Sequence, residues 1–152
     1  MNSEQYQWQE KVWGRTKRLH VPTPLMTKHI LMTKVDTFCS YHFHYDRMNI
    51  FHVVSGKIRI IETCGTAHIG IDLNEGDTHI VRARVSHQFQ VLKPSIVVED
   101  YLCDAGSPQV DDIHRHWCGG IATIDIASNP SCLYVPSGCP YRDDSDSSGA
   151  MG

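Results

Sequence analysis

The length and charge of the chain limit what it can be. Its 152 residues suit one domain, and its 14 basic and 17 acidic residues give a formal net charge of -3. These charges are scattered, so no basic patch for nucleic acid or an anionic membrane is present, and no apolar run approaches the ~20 residues of a membrane span. The polar residues 1–10 lack the apolar stretch of a signal peptide. We therefore expect one soluble, cytoplasmic domain with neither nucleic acid nor membrane as a partner.

Short runs rich in β-branched and aromatic residues, separated by turn residues, fill the chain from 27 to 102. This pattern is typical of an all-β sandwich or barrel. The predicted strands are, in chain order, 28–34, 40–44, 50–54, 57–63, 67–72, 78–82, 87–92 and 96–102. Tight turns are expected at 55–56, 64–65 and 74–77, where glycine and asparagine tolerate positive φ. Eight short strands predict a jelly roll.

The sequence after the barrel predicts one short helix and then little regular structure. Ser107 suits an N-cap and Pro108 the first helical position, so we expect a helix over 108–117. Residues 121–127 are compatible with one more strand, whereas 129–140 are rich in Pro, Gly, Ser and Cys and predict a loop. The chain is therefore predicted to consist of an N-terminal arm at 1–26, the barrel and helix at 27–118, an extension at 119–142 and a tail at 143–152. The tail is nearly devoid of apolar residues and is expected to be disordered.

The cysteines show no motif spacing. None of the six is two residues from another, as a zinc or redox motif requires: Cys39, Cys64, Cys103, Cys118, Cys132 and Cys139. Because nothing indicates secretion, we expect reduced thiols that serve as small packing residues.

Two of the ten histidines stand two positions apart in a strand-like run. Side chains at His42 and His44 therefore point to the same face, where two imidazoles can meet one ion. Asn49 follows after four residues and Gly56 after six more, and a second segment runs from Gly76 to His87. This spacing resembles the two motifs of the cupins.

The cupin resemblance implies a metal site inside a jelly-roll barrel. It gives the three histidine roles to His42, His44 and His87, and the role of the acidic ligand to Asn49. An amide oxygen is neutral and a weaker ligand than a carboxylate, so a three-histidine site results, with or without Asn49. One divalent ion is expected, and Zn, Fe, Mn and Ni are not distinguished. The second motif has Arg82 and Arg84 at the family's usual proline and glycine positions.

A more specific resemblance extends over about residues 12–115. The segments at 12–15, 28–30, 53–56 and 111–115 look like the cupin domain of bifunctional mannose-6-phosphate isomerases that also carry a mannose-1-phosphate guanylyltransferase domain. It implies a metal-dependent enzyme that interconverts the aldose and ketose forms of a sugar phosphate. Phosphate binding would then require cations, and those nearest to the motifs are Lys28, Arg47 and Arg84.

Two other functions stay open, as does the identity of the base. A neutral trio of histidines also suits an iron(II) oxygenase, and the missing acidic ligand also suits a cupin that binds a sugar or small acid without turnover. An isomerase needs a base, for which His52, His79 and Glu99 are candidates, and strand alternation alone does not choose among them. Exposed edge strands favour a homodimer.

Overall fold

The computed structural model describes residues 3–103, 112–123 and 125–136, and it confirms the all-β jelly-roll prediction. No described helix has the length and apolar character needed to cross a membrane. Within the described residues, two short 3-10 turns, Ser3–Tyr6 and Ile126–Ser128, flank the sheet. The eleven strands of this part of the chain form one sheet and are β1 (Gln9–Lys11), β2 (Gly14–Leu19), β3 (Met26–Thr33), β4 (Thr37–Phe38), β5 (Tyr41–Phe43), β6 (Arg47–Cys64), β7 (Ala67–Asn74), β8 (Thr78–Val81), β9 (His87–Cys103), β10 (His114–Trp117) and β11 (Gly120–Ile121).

Two long antiparallel strands organise the sheet. β6 pairs with β7, β8 and β9, while β9 pairs also with β3, β4 and β5. The arm at 1–26 contributes to the same sheet, because β1 pairs with β2 and β2 pairs with β3. Along 47–54 of β6 the side chains alternate between buried and less buried, as a strand with one face on a core requires.

The tight turn expected at 55–56 is wrong, because this segment is a bulge inside β6. The register against β9 shifts around Ser55 and Lys57, and Gly56 has a φ of 92°. A Cβ atom at Gly56 would lie 2.4 Å from the carbonyl oxygen of Pro94, so only glycine fits there. Glycine serves turns and bulges equally, which is why the sequence did not distinguish them. Strands 50–54 and 57–63 are therefore one strand, as are 87–92 and 96–102.

The helix predicted over 108–117 is also wrong in its described part. His114–Trp117 is strand β10, which pairs with the free edge of β5. Long-range backbone hydrogen bonds to an unpaired edge replace a helix that would have been too short to be stable by itself. The start of that helix, residues 108–111, and the tail at 143–152 lie outside the described residues.

The core and the C-terminal extension cover opposite faces of β9. Phe89 lies in the apolar core with Phe51 and Val97, whereas Gln88 faces Tyr134 of the extension. Residues 87–91 are consequently buried without alternation. The extension also packs Tyr134 and Ile126 against Phe38.

The described cysteines include one exception to the expected reduced state. Cys39, Cys64 and Cys132 are free thiols, but Cys118 is disulfide-bonded. The expectation was based on the spacing of the cysteines and on the lack of any sign of secretion, and neither reports which thiols meet in the folded chain.

Candidate metal centre

The three histidines of the two motifs meet inside the barrel. His42 lies on β5 and is the pairing partner of His87 at the start of β9, and His44 follows β5 on the same face. One ring nitrogen from each residue lies within 4.8 Å of those of the other two. All three side chains are buried, at 7%, 2% and 1% exposure for His42, His44 and His87.

Hydrogen bonds to the backbone fix the orientation of these rings and the nitrogen that carries the proton. The Nδ1 atoms contact carbonyl oxygens of Ser40 at 2.8 Å for His42 and of Val85 at 2.9 Å for His87. His44 makes the same contact to the carbonyl of Asp112. A carbonyl oxygen only accepts, so each Nδ1 carries the proton and each Nε2 presents its lone pair. None of the three buried Nε2 atoms has a hydrogen-bond partner among the described residues.

Burial keeps these imidazoles neutral. Loss of solvation lowers the pKa of His87 to about 4 and, with the neighbouring His87, that of His44 to about 3. Burial, followed by the charges of His87 and His44, lowers the pKa of His42 well below its ordinary value. Three neutral nitrogen donors converging on one point are the donor set that Zn²⁺ and other borderline dications prefer. The residues present therefore fit a metal ion.

Asp112 holds the loop that follows His44. Its carboxylate accepts hydrogen bonds of 2.8 Å from the backbone N–H groups of Tyr45 and Asp46. Burial raises the pKa of Asp112, but these two hydrogen bonds and the positive charge of Arg47 outweigh it and leave the pKa below its usual value. Arg47 Nε also lies 3.3 Å from His44 Nδ1, but an Nδ1 that donates to the carbonyl of Asp112 cannot at the same time accept from Arg47.

Asn49 and Glu99 form a second buried polar pair. Asn49 is on the inward face of β6 and is fully buried, and its Nδ2 donates to Glu99 Oε2 at 3.0 Å. Asn49 Oδ1 has no hydrogen-bond partner among the described residues. Burial raises the pKa of Glu99 to about 7, against the lowering by its hydrogen bond from Tyr101. Whether Asn49 Oδ1 is a fourth ligand stays a prediction.

A cavity of about 480 Å³ opens beside the histidines. His42, Glu99 and Tyr101 line it, together with Trp13 from the turn between β1 and β2 and Arg115 from β10. Its size is within the range of small-molecule sites. The barrel therefore has both a donor set for an ion and room for a ligand next to it.

The three cations predicted for phosphate binding do not line the cavity. Lys28 forms an ion pair with Asp100 at 2.8 Å, and Arg84 is exposed. Arg47 is buried with its guanidinium 4.2 Å from the ring of Tyr101. The cations that do line the cavity, Lys11 and Arg115, are far from the motifs in sequence, and only the long-range pairing of β1 and β10 brings them in.

The three candidate bases lie in different surroundings. His52 is exposed and its Nδ1 lies 2.7 Å from the hydroxyl of Thr78, whereas His79 pairs with Glu62 at 2.6 Å. Glu99 lines the cavity. Strand alternation in the sequence did not show which of these side chains lines the cavity.

Comparisons with known proteins agree with this architecture. The chain resembles oxalate decarboxylase from Bacillus subtilis at a TM-score of 0.64 and 14% identity over 74% of this chain. It also resembles the Lactobacillus farciminis oxalate decarboxylase formate complex at a TM-score of 0.58 and 15% identity over 68% of this chain. The chain has the cupin fold. It spans 30% and 32% of the length of those two structures. No protein-family model and no curated protein sequence matches the chain.

Proposed function

We propose that this chain is a metal-dependent cupin enzyme in which His42, His44 and His87 hold one divalent ion, with Asn49 Oδ1 as the fourth ligand. The observation that carries the proposal is the set of three buried Nε2 atoms without a hydrogen-bond partner among the described residues. Leaving one buried polar atom unsatisfied costs about 1–3 kcal/mol, so three in one place call for a ligand. A bound ion would supply a Lewis acid that polarises an oxygen of the substrate.

Glu99 is the residue that we assign to proton transfer. Glu99 lines the same cavity as His42, and the amide of Asn49 donates to its carboxyl group at 3.0 Å. A carboxylate in that place can take the proton from the hydroxyl-bearing carbon next to the carbonyl carbon, which leaves an enediol, and return it to the former carbonyl carbon, while the hydroxyl proton moves from one oxygen to the other. That transfer is the chemistry of an aldose–ketose isomerase.

The substrate that we propose is a sugar phosphate similar to mannose 6-phosphate. The resemblance of segments 12–15, 28–30, 53–56 and 111–115 to mannose-6-phosphate isomerases supports this substrate. A cavity of about 480 Å³ has a volume suited to a molecule of this size.

Metal content and turnover test the proposal together. Purified protein should be assayed for interconversion of mannose 6-phosphate and fructose 6-phosphate, and separately for oxalate decarboxylation, since the structural neighbours carry that name. Glu99→Gln should lower turnover by about 10²–10⁴-fold without loss of metal, because the amide cannot accept the proton. Glu62→Gln, which changes a carboxyl outside the cavity lining, is the matched control and should retain activity.

Two results would contradict the proposal. Equal activity of Glu99→Gln and the unaltered protein would remove Glu99 from the reaction. A protein that binds metal but turns over neither sugar phosphate nor oxalate would point to a cupin that only binds its ligand.

A further inference from the structure

One histidine outside the two motifs also lines the cavity of the candidate metal centre. His29 lies on β3, and both it and Glu99 belong to the cavity wall. We propose that His29 is the second acid–base residue of this site, and that it moves a proton between the two oxygens of the substrate while Glu99 moves a proton between the two carbons. This inference deepens the proposed function and rests on it for the reaction.

The position of His29 follows from strand register. On β3 it is the pairing partner of Glu99 on β9, and Glu99 pairs on its other side with Phe51 on β6. Residues directly opposite each other in antiparallel strands project to the same face of the sheet. Because Phe51 belongs to the core and also lines the cavity, that face is the inner one. The imidazole of His29 and the carboxyl group of Glu99 are therefore neighbours on the cavity wall.

The ring of Tyr101 connects His29 to the candidate metal centre. It packs edge-on against the imidazole of His29, with ring centroids 5.5 Å apart, and against the imidazole of His44 at the same separation of 5.5 Å. A single aromatic ring therefore contacts both His29 and one of the three proposed metal ligands. His29 is close enough to act on a molecule bound at the centre, and it stays outside the ligand set of His42, His44 and His87.

A ring nitrogen of His29 is available for a ligand. Its buried Nδ1 has no hydrogen-bond partner among the described residues. A buried polar atom of this kind is unfavourable until a ligand or water supplies the partner. Two other groups of the cavity wall already donate their protons, because the Tyr101 hydroxyl is hydrogen-bonded to Glu99 and the Cys39 thiol donates to the carbonyl of Ser40. His29 is thus better placed than either to exchange a proton with a substrate.

The surroundings of His29 keep its ring neutral. Burial, followed by the positive charges of Arg18 and Arg47, lowers the pKa of His29 to about 4, although the charge of Asp100 opposes this shift. A neutral imidazole has one N–H group and one nitrogen lone pair, so it can give a proton and take one. Transfer of a proton between two oxygens requires both of these abilities.

The proton transfers balance over one turnover. Glu99 takes the proton from the hydroxyl-bearing carbon, and the electron pair of that C–H bond forms the double bond of the enediol. The π pair of the carbonyl forms a new O–H bond with the proton that His29 donates. In the second half, His29 takes the proton of the other hydroxyl group as the new carbonyl forms, and the former carbonyl carbon takes the proton from Glu99. Both residues end in the state in which they began.

Hydrogen exchange with the solvent separates the roles of His29 and Glu99. Interconversion of mannose 6-phosphate and fructose 6-phosphate in heavy water is followed together with the deuterium that enters the sugar. His29→Gln should slow conversion about a hundredfold, because an amide does not pass a proton on. The deuterium incorporated per conversion should rise, since the carbon proton still leaves while the oxygen proton moves slowly. In Glu99→Gln, exchange and conversion should fall together. His52→Gln, at an exposed histidine absent from the cavity lining, is the matched control and should change neither.

A second measurement does not depend on turnover. The side-chain nitrogens of His29 are followed by NMR as mannose 6-phosphate, fructose 6-phosphate or oxalate is added to Glu99→Gln protein, with and without Zn²⁺. We expect the resonances of His29 to shift and those of His52 to stay unchanged. Such a shift in a protein that converts no sugar phosphate would refute the proposed isomerase and support His29 as a residue that binds the ligand. Resonances of His29 that none of the three compounds shifts overturn the inference, as does an unchanged ratio of exchange to conversion in His29→Gln.

Discussion

His87 and Gln88 are adjacent on β9 and almost equally buried, at 1% and 0% exposure, but they face different surroundings. On the outer face, Gln88 donates to the carbonyl of Tyr134 at 2.9 Å and accepts from its N–H at 3.1 Å. On the inner face, His87 satisfies only Nδ1 and leaves Nε2 without a partner in the described structure, as do His42 and His44. Complete satisfaction marks a structural contact, whereas convergent unsatisfied acceptors mark a place for a ligand.

The contrast between the two faces of β9 fails if metal binding does not depend on the residues of the inner face. His87→Ala should lower the affinity for Zn²⁺ by more than about a hundredfold, since even loss of an outer-shell contact costs 10–100-fold. Chelator competition measures this affinity. His68→Ala is the control, because His68 is exposed on β7, and equal losses in both variants would show that the site is misplaced.

A substitution on the outer face of β9 should lower the stability of the protein without changing its affinity for metal. Gln88→Leu keeps a similar volume but leaves the backbone groups of Tyr134 and Cys39 without this partner, so the free energy of unfolding should fall by about 2 kcal/mol. Urea denaturation of the metal-free protein measures it. A loss of Zn²⁺ affinity in Gln88→Leu, with stability unchanged, would contradict the assignment of the two faces.

Asn49→Glu tests how far the metal site extends on the inner face. A carboxylate is a stronger ligand than an amide, so Zn²⁺ affinity should rise about tenfold, or ~1.4 kcal/mol. The gain is opposed by Glu99, which lies 3.0 Å from the present amide nitrogen. Asn49→Gln, a neutral side chain of the length of glutamate, is the matched control. Unchanged affinity in Asn49→Glu would falsify the claim that residue 49 faces the ion.

The outer face also contains an ion pair that should make the stability of the protein depend on pH. Arg59 donates to Asp72 at 2.6 Å and to the carbonyl of Ile126 in the extension at 2.8 Å. The hydrogen bond and charge of Arg59 hold the pKa of Asp72 below its usual value despite partial burial. Ionised Asp72 therefore contributes stability at pH values above its unfolded pKa of about 3.9 and loses it as the pH falls through the lower folded value.

Asp72→Asn should remove this dependence. The stability difference between the unaltered protein and Asp72→Asn should be greatest near pH 6 and shrink toward pH 3, by a small amount because Asp72 is 37% exposed. Thermal unfolding across this range measures it. A difference that stays constant with pH would show that Arg59 does not depend on the charge of Asp72.

Local patterns in the sequence predicted most of the barrel and the three histidines. His42 and His44 share a face by strand alternation, and His87 follows from the motif spacing. The role of Gly56 was not predictable, since positive φ suits a turn and a bulge equally. Arg115 was hidden for another reason: its segment carried helix signals, and pairing with β5 decided its structure.

The outer face of β9 was also beyond prediction from local pattern. Alternation is lost where the extension covers the strand, so Gln88 and Gln90 appear as exposed polar residues in the sequence although both are fully buried. Their partners, the carbonyls of Tyr134 and Cys132, are more than forty residues away. Contacts at such separations leave no local signal.

The most direct test of the metal centre is nitrogen NMR of the histidine side chains during titration with Zn²⁺. We expect one equivalent of Zn²⁺ to shift the Nε2 resonances of His42, His44 and His87, with each proton remaining on Nδ1 as the carbonyl contacts require. The other histidines should be unaffected. Coordination through Nδ1, or one equivalent of Zn²⁺ that leaves these three Nε2 resonances unchanged, would contradict the account.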